Sequence, residues 1–156
     1  MSGDNIINFR RLEPNDAEAI SNLMNQDSKD YSQYFVAFEF DTTTIEKILA
    51  KAKNDLYYGL YWGEELTGLY MLRGFDEGYA IPSYGVYISS QFSNMGLAAL
   101  TLTHAISTCK FLGCKKLRLK VHTANTYALK QYVKFGFVET GFDEKINNII
   151  MHKDLV

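Results

Sequence analysis

Apolar residues recur along the chain with two different periods, and each period predicts one kind of secondary structure. Short alternating or continuous apolar runs predict strands, which lie at residues 5–12, 56–62, 65–73, 83–89, 115–123, 137–144 and 147–154. Apolar spacings of three and four residues predict helices at residues 16–25, 42–52, 94–112 and 126–135. Residues 28–41 show no clear period, so we expect a loop there with room for one short helix.

The predicted helix at 94–112 has a stripe of residues that should face the core. Its members follow one another at spacings of four, three, four and three, and they are Ala98, Leu102, Ala105, Cys109 and Leu112. Gly113 is a natural C-cap for this helix. In the strand at 115–123 apolar and polar residues alternate with a period of two, so that apolar side chains face in while Arg118, Lys120 and His122 face out.

The elements together have the order βααβββαβαββ, which predicts an α/β (α+β mixed) fold built on a single mixed sheet. No linker, repeat or low-complexity tract divides the 156 residues, so we expect one domain over residues 1–156. Residues 1–11 lack the apolar core of a signal peptide, and no apolar run is long enough to span a membrane. We therefore expect a cytoplasmic protein with no membrane partner.

Composition narrows the function classes. The net charge of −2 argues against a nucleic-acid partner, since such proteins usually carry a basic surplus. Cys109 and Cys114 fit no zinc spacing, and only 3 histidines are present, so we expect reduced thiols and no metal. Aromatic residues reach 14%, which suits either a core of polar-tipped rings or a ring-lined pocket.

A polar turn at residues 93–98 follows one predicted strand and opens the helix at 94–112. The first amides of a helix have no intrahelical partner, so with the helix dipole they can hold an anion. Gly96 and Ala98 keep side-chain bulk off this turn, and Asn94 tolerates left-handed geometry. The alternative is a serine-capped helix start with no ligand. The glycine-rich phosphate-loop patterns are absent, which argues against nucleoside triphosphates and dinucleotides on those scaffolds.

A second segment lies at the next predicted junction of strand and helix. Asn125 can cap that helix or reach a ligand, and Ala128 and Tyr132 share one helix face. A tyrosine at such a junction can donate a proton, because its ordinary pKa is about 10. The alternative is a core ring with a satisfied hydroxyl.

The two segments together resemble the GCN5-related N-acetyltransferases (GNAT family). The family's loop reads Gln/Arg-x-x-Gly-x-Gly/Ala, and here it is Ser93-x-x-Gly96-x-Ala98. The family's later motif reads Asn-x-x-Ala-x-x-Leu-Tyr-x-x-x-Gly-Phe. Here it is matched by Asn125, Ala128, Tyr132, Gly136 and Phe137, and a glutamine replaces the leucine. The opening FRRLEPNDAEAISNL and the ending IIMHKDL also resemble the family's first and last elements.

The resemblance implies a GNAT-like sheet whose fourth and fifth strands splay apart, with acetyl-CoA as co-substrate and an amine as the other partner. The pantetheine arm would pair with the main chain of the fourth strand at Val86, Tyr87 and Ile88. Amides of the loop would hold the pyrophosphate without a lysine, and the loop residues concerned are Ser93, Asn94, Met95, Gly96, Leu97 and Ala98. Asn125 would contact the CoA arm, and Tyr132 would protonate the departing thiolate. Ser93 departs from the family's arginine or glutamine.

The base that takes the amine proton is not identified by the resemblance. His122 is a candidate because its pKa lies near neutrality, although a solvated histidine at a strand end is the alternative. The basic stretch at 115–120 could attract the CoA phosphates or form a solvated strand face.

The acceptor should meet the aromatic segments that differ most within such folds. Tyr31, Tyr34, Phe35 and Tyr84 are the predicted substrate-binding residues, and rings of this kind suit a sugar-like or flat amine. We expect a small-molecule amine such as a nucleotide-linked amino sugar. A protein or peptide amine, a non-catalytic acetyl-CoA sensor and an interaction domain stay open, as does a homodimer, since many relatives dimerise.

Overall fold

The computed structural model of the chain describes residues 5–156, and that part forms one mixed sheet flanked by helices. Its strands are β1 Ile7–Arg11, β2 Leu56–Trp62, β3 Glu65–Arg73, β4 Ser83–Ile88, β5 Lys116–His122, β6 Val138–Asp143 and β7 Asn148–Asp154. Its α-helices are α1 Ala17–Asn25, α2 Lys29–Ser32, α3 Thr42–Lys51, α4 Leu97–Phe111 and α5 Thr126–Lys134. The fold class and the order of the predicted elements are confirmed, and α2 is a short helix within the aperiodic segment.

The sheet has the strand order β1-β2-β3-β4-β5-β7-β6. All neighbouring pairs are antiparallel except β4 and β5, which are parallel and are connected through α4. This parallel pair is short, because only Ser83 with Arg118 and Tyr84 with Leu119 are in register. Beyond Tyr84 the two strands separate, as predicted.

Each face of the sheet has its own core, because successive side chains of a strand point to opposite sides. One core packs α1 and α3 against one face and includes Ile20, Ile45, Leu69 and Tyr87. The other packs α4 and α5 against the opposite face and includes Tyr84, Leu102, Leu119 and Tyr132. The gap between β4 and β5 therefore has helices on both faces of the sheet.

Helix α4 differs from its predicted extent at both ends. It begins at Leu97 because Gly96 takes a left-handed conformation, with φ 81°, which a helix cannot include. The predicted stripe is correct at Leu102, Ala105 and Cys109, whereas Leu112 is 56% exposed. Its last turn has passed the edge of the core, so the spacing continues without a partner to bury it. No helix within residues 5–156 is both long and apolar enough to cross a bilayer.

Candidate active site

A cavity of about 710 Å³ opens where β4 and β5 separate. One wall comes from residues 30–37 and the opposite wall from α5 and the turn before it. The residues of β4 and β5 beyond their last paired positions form its base. The cavity therefore lies between the two cores, where β4 and β5 no longer pair.

The main chain of β4 faces this cavity at positions with which β5 no longer pairs. The N–H of Ser89 donates to Thr67 on the β3 side at 3.0 Å, and the carbonyl of Pro82 accepts from Arg118 on the β5 side at 3.0 Å. Main-chain groups of a strand point to alternate edges, so Val86 and Ile88 face the open edge while Tyr87 faces β3. Of the predicted pantetheine contacts, Val86 and Ile88 thus have main-chain groups directed into the gap. The Tyr87 main chain is used within the sheet.

The turn before α4 has the features that an anion cradle needs. Asn94 and Gly96 both have positive φ, at 63° and 81°, and a Cβ built on Gly96 would meet no atom within 4 Å. No side chain caps α4, because the Ser93 hydroxyl donates instead to the Ser90 carbonyl at 2.8 Å. The first amides of α4 are therefore not used by a capping side chain, and the alternative of a serine-capped helix start is wrong.

Asp27 fixes the chain that leads into this turn, and sequence reasoning did not identify it. Its carboxylate accepts from the Tyr87 hydroxyl at 2.5 Å and from the main-chain N–H and the hydroxyl of Ser90. Burial, and then this carboxylate, raise the pKa of Tyr87. Asp27 lies in an aperiodic polar stretch and 60 residues from Tyr87, so no local pattern signals the contact.

Tyr132 and Tyr84 line the α5 side of the cavity, and both rings pack in the core beneath it. Burial raises the pKa of Tyr132 to about 12, so its hydroxyl keeps its proton at neutral pH. Tyr84 is 5% exposed, and its hydroxyl has no hydrogen-bond partner among the described residues. Burial, followed by the neighbouring Tyr132, raises the pKa of Tyr84 as well. Tyr84 thus lines the cavity from within the core.

His122 lies on the opposite wall, where its ring stacks on Tyr34 with centroids 4.6 Å apart. Its Nδ1 accepts the main-chain N–H of Ala124 at 3.0 Å. In the neutral ring this leaves the proton on Nε2, so neither nitrogen has a free lone pair for an incoming ammonium group. In the free protein His122 is thus held between Ala124 and Tyr34, and its role as general base stays a prediction.

Of the remaining predicted site residues, Tyr31, Phe35, Ala98 and Asn125 line the cavity, whereas the loop residues 93–97 do not. The Tyr31 hydroxyl donates to the Ile88 carbonyl at 2.6 Å, which ties α2 to the open strand. Phe35 packs edge-on against Tyr87 at 5.6 Å, and the Asn125 side chain caps α5 by accepting from Ala128 at 3.4 Å. Met95 is 65% exposed and lines a separate apolar cavity on the β1–β2 side.

Solved structures with the same fold include several acetyltransferases. The PaiA N-acetyltransferase from Thermoplasma acidophilum, in complex with coenzyme A, superposes with a TM-score of 0.79 at 18% identity, over 96% of this chain and 99% of that one. Spermidine N-acetyltransferase from Vibrio cholerae, in complex with CoA and spermine, gives 0.80 at 21% identity, over 96% and 95%. The ribosomal-protein-S18-alanine N-acetyltransferase from Escherichia coli gives 0.73 at 19% identity, over 96% and 94%.

A family model, described as the acetyltransferase (GNAT) family, matches residues 18–137. The matched region runs from α1 to the end of the predicted Asn125 motif, so it contains the open strand, the cradle and Tyr132. The chain therefore belongs to the acetyltransferase (GNAT) family, as an N-acetyltransferase that takes acetyl-CoA as its co-substrate.

Proposed function

We propose that this protein transfers the acetyl group of acetyl-CoA to the primary amine of a small molecule, with a nucleotide-linked amino sugar as one suitable acceptor. One observation carries the proposal: Tyr132 and the part of β4 that no longer pairs with β5 line the same cavity. The volume of about 710 Å³ lies within the range of roughly 300–1,000 Å³ that is usual for small-molecule sites. We treat residues 1–156 as one domain for this activity.

Acetyl-CoA would be held by main-chain groups at two places. The amides between Asn94 and Ala98, at the positive end of the α4 dipole, would hold the pyrophosphate. Because this cradle follows the end of β4, the pantetheine arm would run back along β4 past Ile88 and Val86 toward the closed end of the gap. Asn125 would support this arm indirectly, through the start of α5 that it caps.

The chemistry would be a direct transfer. The amine attacks the thioester carbon, the C–N bond forms, and the C–S bond breaks. A main-chain N–H of the open β4 edge would stabilise negative charge on the carbonyl oxygen, as donors fixed in place do in acyl transfer. Tyr132 would give its hydroxyl proton to the departing sulfur and regain a proton from water. The acceptor would lose one proton to water before the attack, when its ammonium group becomes a neutral amine, and a second one to water as the amide forms.

The acceptor would enter from the side of residues 30–37. There Tyr34, stacked on His122, and Phe35, packed on Tyr87, present ring faces and edges. Rings in this arrangement suit a sugar or another flat amine of modest size. The V. cholerae relative contains spermine and the E. coli relative is named for a ribosomal protein, so amines of both classes belong in the test.

The test incubates the protein with acetyl-CoA and an amine panel and follows the release of free thiol. The panel contains a nucleotide-linked amino sugar, spermidine and a peptide with a free N-terminus, and thermal unfolding is recorded with and without acetyl-CoA. Turnover of the amino sugar above the peptide supports the proposal. Turnover of the peptide alone would favour a protein acceptor, whereas stabilisation by acetyl-CoA without any turnover would favour a sensor.

A pair of charge insertions on α4 checks where the co-substrate binds. Ala98→Glu adds a carboxylate at the cavity, next to the proposed pyrophosphate cradle, and should abolish the stabilisation by acetyl-CoA. Ser107→Glu adds the same charge on the exposed face of the same helix and should leave it intact. Equal stabilisation of both variants would place acetyl-CoA elsewhere.

A further inference from the structure

A row of polar and basic residues crosses the sheet at the closed end of the gap. Arg73 on β3 is in register with Ser83 on β4, Ser83 with Arg118 on β5, and Arg118 with His152 on β7. Their side chains share the face that carries α1 and α3, because their strand neighbours Leu72, Tyr84, Leu119 and Met151 belong to the opposite core. Residues from four strands thus meet in one line.

The two arginines of this row are half-buried and have no carboxylate partner. The ion pairs found within residues 5–156 involve other basic residues, namely Arg10, Lys116 and Lys120. The Arg118 guanidinium donates to the Ser83 hydroxyl at 3.0 Å, and Arg73 lies against the Tyr57 hydroxyl. A partly buried guanidinium group without a carboxylate partner can bind an anion that enters the cavity, since the anion replaces the water that the charge has lost.

Three acidic residues lie near the row, Asp55, Asp76 and Glu77, and the two aspartates bind main-chain N–H groups. Asp76 accepts the main-chain N–H groups of Lys53 and Asn54 at 3.0 and 2.6 Å, and these bonds hold its pKa below the usual range. Asp55 accepts the N–H of Asp76 at 3.1 Å. The two aspartates therefore hold the turn after α3, and none of the three carboxylates is among the ion pairs of residues 5–156.

The row borders two cavities at once. Arg73, Ser83 and Arg118 line both the cavity of the open strand and an adjoining one of about 1250 Å³. From Ser83 to Val86 a strand rises roughly 10 Å, so the row lies just beyond the place where the acetyl group would stop. A molecule that presents its amine to that group can extend into the second cavity past the two arginines.

We propose that Arg73 and Arg118 form an anion subsite that selects acceptors bearing a carboxylate or phosphate beyond the reacting amine. This inference rests on the proposed function and narrows its substrate class to anionic amines, of which a nucleotide-linked amino sugar is one kind. Arginine suits the task, because its planar fork binds both oxygens of such a group at once. Polyamines, which bring further positive charge to the row, should be poor acceptors.

The test compares three amines of equal length: 6-aminohexanoate, 6-aminohexanamide and 1,6-diaminohexane. We expect kcat/KM to be about tenfold or more higher for the carboxylate than for the amide, and lowest for the diamine. Arg118→Gln should bring the ratio of carboxylate to amide toward unity. Lys47→Gln removes a positive charge from the exposed side of α3 and should leave the ratio as it is.

A second readout separates failure of the subsite from failure of acetyl transfer. In the protein saturated with CoA, the guanidinium Nε–H resonance of Arg118, assigned by its loss in Arg118→Gln, should shift on titration with 6-aminohexanoate but not with the amide. Equal kcat/KM for the three amines, or an Arg118 resonance that ignores the carboxylate, overturns the inference even if acetyl transfer occurs. A shift without turnover supports the subsite and counts against the proposed reaction with these amines.

Discussion

Tyr132 lines the cavity of the open strand and is protonated at neutral pH, as a proton donor to a thiolate must be. Burial raises its pKa to about 12, which makes its hydroxyl a weaker acid in the free protein than that of an exposed tyrosine. Replacing it by phenylalanine keeps the ring and its edge contact with Phe137, whose centroid lies 5.8 Å away. We expect Tyr132→Phe to retain acetyl-CoA affinity and to lose about 100-fold or more in kcat, measured by thiol release.

The control for this substitution lies on the same helix. Tyr127→Phe removes the same atom from a ring that is 63% exposed, and kcat should change little. If Tyr132→Phe matches the wild type in kcat while acetyl-CoA binds both equally, Tyr132 has no part in the transfer.

The residues that sequence reasoning found and those it missed differ in how local their partners are. Asn94 and Asn125 act on the turn or helix that contains them, so their residue types predicted left-handed geometry and a possible helix cap. Asp27 reaches Ser90 across 63 residues, and Arg118 joins Arg73 only through the register of three strands. Such contacts depend on tertiary placement, which a motif does not encode.

At the scale of the element, the gap after Tyr84 divides the amides of β4 into two sets. Gly85 and Tyr87 point their amides toward β3, whereas Val86 and Ile88 point theirs into the gap. We expect the amides of Val86 and Ile88 to exchange hydrogen quickly in the free protein and to be protected by acetyl-CoA. The Gly85 and Tyr87 amides should be protected with or without it, which NMR-detected exchange can resolve residue by residue.

The two sets of amides serve as each other's control within one strand. Protection of all four amides in the free protein would mean that β4 has a partner along its whole length, and the pantetheine-binding edge would be lost. Slow exchange at Val86 and Ile88 only after acetyl-CoA is added would support binding by strand addition.

The periodicity of the elements predicted their order well and their ends less well. The spacing of α4 continued to Leu112, yet the core ends near Cys109, which is fully buried. The strand residues Arg118 and Lys120 were assigned to the outward face, and Lys120 does pair with Asp143 near the surface. Arg118 instead lies beneath the adjoining cavity, because residues 51–55 and 73–83 build a wall over that part of the sheet.

In the molecule as a whole, tyrosines lie in both cores as well as in the candidate site. Burial raises the pKa of seven tyrosines, distributed over both faces of the sheet: Tyr31, Tyr57, Tyr61, Tyr70, Tyr84, Tyr87 and Tyr132. The high aromatic content had two possible explanations from the sequence, a core of polar-tipped rings or a ring-lined pocket. The structure contains both. The burial of these tyrosines also makes the stability of the fold sensitive to alkali.

The sign of this sensitivity follows from where each state binds protons. Below pH about 10 the folded and unfolded chains both keep their phenol protons, so the raised pKa values cost nothing. Above it the unfolded chain releases protons that the folded one retains, and each fully buried tyrosine removes about 1.4 kcal/mol of stability per pH unit. We expect the free energy of unfolding, from urea titrations, to begin to fall above pH about 9, where the unfolded chain releases the Cys109 thiol proton, and to fall more steeply from pH about 10 upward.

Tyr84→Phe tests the origin of that fall with a single atom. The Tyr84 hydroxyl is buried without a hydrogen-bond partner, so its removal should leave stability at pH about 8 unchanged or raise it by about 1 kcal/mol. Because one group with a raised pKa is gone, the fall above pH about 10 should also become shallower than in the wild type. Tyr79→Phe, which alters a ring that is 62% exposed, should reproduce the wild-type curve. An alkaline limb of equal slope in both variants would assign the loss of stability to groups other than the buried phenols.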